Sequence, residues 1–209
     1  GEIPLEVAEE IVEMVTRENV PYKASRAWED EIGHDVRGMV RNAQGCLSDK
    51  AKNFVYPGLT SNDVLNTAQS LALKDFAYEL MIPKAIEFSR TLLERAMEHK
   101  DTILMGRTHR QHAIATTVPH VFSETLGGFI PALVNYRESA DDLRGKLSGF
   151  VGTNAAKVLL FDTEPDVIDG LFFGFLDLKR DETTGQVVHP HWFIDYFSRM
   201  GQMCGYLAQ

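Results

Sequence analysis

Cysteine is nearly missing: among 209 residues there are two, Cys46 and Cys204, far apart and without paired spacing. That excludes a disulfide scaffold and suits a reducing, cytoplasmic setting with two buried or half-buried thiols. Long apolar runs are missing as well, and none approaches the roughly 20 residues of a membrane span. The amino end, Gly1-Glu2-Ile3-Pro4, lacks the build of a signal peptide. Positive charge is in deficit, with 21 Lys and Arg against 30 Asp and Glu and a net charge of −9. Such a chain has no overall basic face for a nucleic acid. A small anion can still be held by a few local cations, and Arg107, Arg110 and Lys146 are the candidates. We find no convincing strand pattern, no internal repeat and no low-complexity linker.

What is present is helical periodicity in a chain that is 44% hydrophobic and long enough for a sizeable core. Residues 5 to 20 repeat apolar side chains at Val7, Ile11, Met14 and Val15, ending at Asn19 and Pro21. A second helix is expected from about Ser25 into the Asp49 region, through Trp28, Ile32, Val36 and Val40, with Gly33-His34-Asp35 in its middle. After the turn signal Tyr56-Pro57-Gly58, Thr60-Ser61-Asn62-Asp63 suits a helix amino terminus. The helix it opens sets Leu65, Ala68, Ala72, Phe76 and Leu80 on one expected core face. Pro83 starts or kinks a further helix with Ala85, Phe88, Leu92 and Ala96 aligned, ending near Lys100. From Val118 the register is cleanest: Phe122, Leu126, Phe129, Leu133, Tyr136, Ala140 and Leu143 describe a long bundle helix, bent at Gly127-Gly128 and Pro131. A short helix follows Glu164-Pro165, a polar turn spans Asp181 to Gly185, and Trp192 to Gln209 is amphipathic. The reading is an all-α long-helix bundle.

Between two of these helices lies Met105 to Pro119, a polar segment with Arg107, Thr108, His109 and His112. An imidazole titrates near neutral pH without special tuning, so His109 is the first candidate for proton transfer. His34, beside the carboxylate of Asp35, is the second, although a half-buried structural histidine reads equally well there. Thr60 and Ser61 can cap a helix, and a helix amino terminus also receives a carboxylate or phosphate. Thr116-Thr117 is read as a cap alone. Glu31-x-x-His34 has the spacing of a helical di-metal site but no second copy. His109-x-x-His112 and His189-Pro190-His191 lack a further ligand at recognisable spacing, so no metal is expected.

Five segments together resemble the adenylosuccinate lyase family of the fumarase and aspartase superfamily. They are Gly33-His34-Asp35-Val36, Gly58-Leu59-Thr60-Ser61-Asn62-Asp63, Met105-Gly106-Arg107-Thr108-His109 with Gln111, Ser148-Gly149-x-Val151-Gly152-Thr153, and Thr184-x-Gln186. Their order and spacing follow the family over residues 25 to 209, which correspond to the middle of a member. The resemblance implies residues 1–58 as the end of an amino-terminal helical domain and 59–209 as the first part of a central bundle. It implies a cytoplasmic homotetramer with sites built from three subunits, and no cofactor.

The implied reaction is β-elimination of fumarate from a succinyl nucleotide, adenylosuccinate and SAICAR, in purine biosynthesis. His109 would be the general acid. His34 would be catalytic alongside it, orienting that transfer and holding substrate with Gly33 and Asp35. Thr60, Ser61 and Thr108 would bind carboxylate or phosphate, and Gln186 the substrate's polar edge. The chain departs from the family at Tyr56, where histidine is common, at Arg110, where glycine is usual, and at Pro190-His191, where an Arg-Asp pair is frequent. The loop that supplies the family's base has no counterpart up to Gln209, so the chain by itself is expected to be inactive. Alternative readings are a non-catalytic helical oligomerisation module and a related lyase with another succinyl substrate.

Overall fold

The computed structural model describes residues 3–208, and the readings placed on Gly1, Glu2 and Gln209 lie outside them. By contacts the chain forms two compact units, one comprising the chain through Gln69 with Arg144–His189, the other Ser70–Leu143 with Pro190 onward. This partition cuts through a helix, so it is of a different kind from the division at residue 58, which remains a reading of the sequence.

In the first unit, α1 (Leu5–Met14) is shorter than its periodicity suggests, and the Asn19 side-chain amide donates to the Met14 carbonyl at 3.0 Å to close it. The expected single helix after Ser25 is two helices, α2 (Tyr22–Ile32) and α3 (Asp35–Gln44). Gly33, at φ 75°, is the left-handed residue that ends α2, and His34 opens α3. The break is invisible to periodicity because Trp28, Ile32, Val36 and Val40 keep a spacing of four across it. Gly38 is needed where the two helices cross, since a Cβ there would stand 2.7 Å from the backbone nitrogen of Glu29. α4 (Ser61–Phe76) begins in this unit. β3 (Arg144–Gly145) pairs in parallel with β4 (Lys179–Arg180), and α7 (Ala155–Leu160) and α8 (Pro165–Phe175) lie between them in sequence. Lys157 and Asp169, both buried, form an ion pair joining α7 to α8, and Arg180 adds a second cation to Asp169 at 3.1 Å.

In the second unit the end of α4 passes through a π turn at Ala77–Met81 into α5 (Ile82–Glu98). Pro83 has no N–H to give the preceding turn, and the chain widens there instead of breaking, with Ile82 N–H donating to the Ala77 carbonyl. Ala85 and Ala96 are buried and Phe88 meets Phe129 edge-on at 5.1 Å, as the α5 register predicts. α6 (Val118–Asp141) runs unbroken through Gly127, Gly128 and Pro131, capped by Thr117, whose hydroxyl accepts from His120 N–H at 3.4 Å. Its expected seam faces inward, with Phe129, Tyr136, Ala140 and Leu143 buried. α9 (His191–Gly205) packs on α6, where the Tyr136 and Tyr196 hydroxyls meet at 2.6 Å and Tyr196 donates to the Leu73 carbonyl.

Three expectations are corrected. The polar segment is an antiparallel hairpin, β1 (Ile103–Thr108) and β2 (Gln111–Thr117), so strands do occur, although the protein is predominantly helical. Cys204 is exposed, while Cys46 is half-buried and directed at the Asn19 carbonyl. The buried side of α4 is its polar one: Asp63, Thr67 and Ser70 are covered, while Phe76 at its end and Leu80 in the following π turn remain 39% and 47% exposed.

Candidate functional site

The expected site residues fall into two groups, one in each unit. In the first unit the break at Gly33 makes His34 the cap of α3, in extended backbone at φ −152°. Its Nδ1 lies 3.4 Å from Arg37 N–H and 3.1 Å from Asp35 Oδ1, and its Nε2 lies 3.1 Å from Ser61 Oγ. The two Nδ1 contacts exclude each other. A bare Nδ1 accepts from Arg37 and leaves Nε2–H to donate to Ser61. A protonated Nδ1 donates to Asp35, and the neutral ring then accepts the Ser61 hydroxyl at Nε2. Asp35 is itself fixed by Val36 N–H at 2.7 Å. Asp35, His34 and Ser61 thus form a hydrogen-bonded line whose polarity is set by which ring nitrogen carries the hydrogen. Burial pushes the Tyr56 phenol up, and the neighbouring Ser61 hydroxyl draws it part of the way back.

Thr60 is buried and precedes α4, with its N–H donating to Asp63 Oδ2 at 2.8 Å. The anion at this helix end is therefore the protein's own carboxylate, in the manner of a capping box. Asp63 also accepts from Lys146 Nζ, from Ser148 N–H at 3.1 Å and from Gly149 N–H at 3.2 Å. Lys146 is wholly buried, so it serves this carboxylate and is not an open cation for a ligand. Thr67 Oγ1 both donates to the Lys146 carbonyl and accepts its N–H, each at 3.0 Å. The loop that begins at Lys146 and runs through Gly149 and Gly152 is in this way pinned to α4. Ser148 Oγ then meets Thr184 Oγ1 at 2.6 Å, and Asn66 Oδ1 accepts Val188 N–H at 3.0 Å. Gln186 is exposed between those two tethers. Gly152, at φ 78°, permits the approach, since a Cβ there would lie 1.7 Å from the Thr184 carbonyl oxygen.

Sequence reasoning gave no site role to Asp63, Asn66, Ser148 or Thr184. The capping pattern Thr60-Ser61-Asn62-Asp63 was the signal for the first; nothing local announces the others, whose partners lie at sequence separations of 36 to 122.

In the second unit, Thr108 pairs with Gln111 and leaves a two-residue tip, His109-Arg110. Both tip residues are left-handed, at φ 51° and 62°, the pattern of a type I′ turn that asparagine and glycine normally fill. Arg107, Thr108, His109 and Arg110 are all exposed there. Gly106 allows the strands to meet, a Cβ at that point lying 2.7 Å from the Ile114 carbonyl oxygen. Among the described residues no group of three or more His, Cys, Asp or Glu is placed to hold a metal. No helix among them is long and apolar enough to cross a membrane.

A family model described as Lyase matches residues 4–187. The chain is 34% identical over 157 residues to the adenylosuccinate lyase of Methanocaldococcus jannaschii, covering 75% of this chain and 34% of that protein. It is 32% identical over 190 residues to that of Pyrococcus abyssi, covering 90% and 41%. With that of Aquifex aeolicus it shares 27% identity over 214 residues, covering 100% and 46%. The chain thus spans between about a third and a half of the length of these curated relatives. With the model covering most of its length and a helical fold bearing the expected segments in order, the chain belongs to the lyase family.

Proposed function

We propose that this chain forms part of an enzyme that cleaves a C–N bond by β-elimination, releasing fumarate from adenylosuccinate or SAICAR in purine nucleotide biosynthesis. The observation that carries the proposal is the Asp35–His34–Ser61 line beside the amino terminus of α4. Eliminating an amine from a succinyl group develops negative charge next to a carboxylate and requires a proton for the leaving nitrogen. Fixed hydroxyl and amide donors stabilise the first, and an oriented imidazole can deliver the second. In this reading His109 is the general acid, and His34 holds substrate and orients the transfer together with Asp35. Ser61 and Thr108 bind oxyanions, Thr60, read from the sequence as a further oxyanion contact, is instead buried with its N–H on Asp63, Gln186 meets the substrate's polar edge, and Gly33 contributes the break that aims His34. The general base is assigned to no residue of this chain, and no cofactor is needed.

We also propose a cytoplasmic homotetramer. In its support, Phe76 at the end of α4 and Leu80 in the π turn that follows carry apolar side chains outward, and α5 does so at Ile86, Leu93 and Met97, seven and four residues apart. Such stripes are what helices of neighbouring copies cover in a shared bundle. Tyr56, in left-handed backbone at φ 79° where the family commonly has histidine, favours as a second reading a lyase of the same chemistry with a different succinyl substrate.

The test is incubation of adenylosuccinate with the protein carrying these residues, with fumarate and AMP measured as products, and calorimetry with adenylosuccinate, AMP and fumarate. Product formation with saturable binding is expected. Neither turnover nor affinity for any of the three would overturn the proposal in favour of a non-catalytic module.

A further inference from the structure

Residues 181–189 carry Gln186 and belong to no helix or strand, so the segment has no ladder of its own to hold that exposed amide in one place. Its two ends are fastened to each other instead. Asp181 follows β4 directly, and its N–H donates to the Gly145 carbonyl at 2.9 Å, which ties it to β3. Its Oδ2 accepts the backbone N–H of His189 at 2.9 Å and lies 2.8 Å from Nδ1 of the same residue. An ionised carboxylate only accepts, so Nδ1 carries a hydrogen, and the backbone and the ring of His189 converge on one oxygen. The Asp181 side chain is 6% exposed against 44% for His189, which puts the carboxylate at the buried base of the segment. Burying a carboxylate is costly. Asp63 and Asp169 are each opposed by a buried lysine, whereas the ion-pair partner of Asp181 among the described residues is His189. Within the closed segment, Gln186 stands two residues from Thr184, held by Ser148, and two from Val188, held by Asn66.

We infer that Asp181 is a positioning residue: acting through His189, it closes the 181–189 segment and holds the Gln186 amide where the polar edge of the succinyl nucleotide meets it. The inference rests on the function proposed above. An amide on an open loop would have to be ordered by the ligand at each binding event, and the Asp181–His189 clasp makes that ordering part of folding. The signature is a raised KM with kcat nearly unchanged, because a contact remote from the breaking bond is the same in bound substrate and transition state.

The test uses the protein carrying these residues, with adenylosuccinate as substrate, in Asp181→Ala, Asp181→Asn, His189→Ala, Gln186→Ala and the Asp181→Ala/Gln186→Ala double variant. Glu182, exposed on the same segment, serves as a control through Glu182→Ala. Asp181→Ala is expected to raise KM about tenfold and to change kcat by less than about threefold. Asp181→Asn, whose amide oxygen can accept the same N–H groups, should stay within about threefold of the unsubstituted protein. His189→Ala keeps the backbone bond and should raise KM only about threefold. The double variant should match Gln186→Ala in KM, since the clasp then has nothing left to position. Amide hydrogen exchange gives a readout without turnover: residues 184–189 should exchange about tenfold faster or more in Asp181→Ala, and not in Asp181→Asn or Glu182→Ala. Unchanged exchange in Asp181→Ala overturns the inference whatever the activity. Faster exchange with unchanged KM, additive KM effects in the double variant, or an Asp181→Asn as impaired as Asp181→Ala overturns it while the lyase reading stands. Absence of turnover in the unsubstituted protein overturns the lyase reading and, with it, the role assigned to Asp181.

Discussion

At Asp63 one buried carboxylate ties the start of α4 to a loop more than eighty residues away, through Lys146, Ser148 and Gly149. Removing it strands the Lys146 ammonium in the interior, where an unpaired charge costs about 3–5 kcal/mol. Asp63→Ala is therefore expected to lower the unfolding free energy by that amount in urea titration; a loss below about 1 kcal/mol would show that water reaches Lys146 after all. The tip of the hairpin carries the opposite kind of residue, one strained in place. Arg110 sits at φ 62°, where glycine is at ease, so Arg110→Gly should stabilise by about 1 kcal/mol in thermal melts. An unchanged or lowered stability would mean that Arg110 makes a compensating contact. At this scale His34, Asp35, Ser61 and His109 were legible as chemistry-bearing residues. That His34 caps a helix and that His109 occupies a turn position were not, because both depend on backbone angles that residue type leaves open.

The elements were legible where one apolar stripe meets the core. The seams of α5 and α6 faced inward as their spacing required, since a core of apolar contacts is what periodicity reports. The same rule misread α4, whose interior neighbours are a lysine and loop amides, so the buried stripe is Asp63, Thr67 and Ser70. The hairpin was missed for a related reason. With Ile103, Met105 and Ile114 exposed there is no inward stripe to alternate, and no Asn-Gly marks the turn. Between α6 and α9, the buried Tyr136 and Tyr196 phenols are both raised, chiefly by loss of hydration. The folded state therefore holds them neutral, and its advantage is complete below the ordinary value of 10.0 and is lost as pH rises beyond it. Alkaline unfolding followed by circular dichroism should accordingly start above about pH 10 and move to higher pH in Tyr136→Phe. A transition unmoved by the substitution would assign it to other groups.

For the molecule as a whole, five short segments in family order were enough to place the chain, and a family model over residues 4–187 agrees. The grouping of residues 144–189 with the first unit was not legible, because it rests on contacts such as Asp63 with Lys146 that no local pattern encodes. The outward apolar side chains from Phe76 through the π turn and along α5 belong to this scale too. Leu80→Glu should shift the protein to a smaller species in analytical ultracentrifugation, and an unchanged sedimentation coefficient would place the subunit contact elsewhere. The central claim, that a lyase of this family uses His109 as its proton donor, is tested most directly by the rate of adenylosuccinate cleavage in the protein carrying these residues, with and without His109→Ala. A fall in kcat of about 100-fold or more is expected, with substrate binding retained. A fall of less than about tenfold would contradict it.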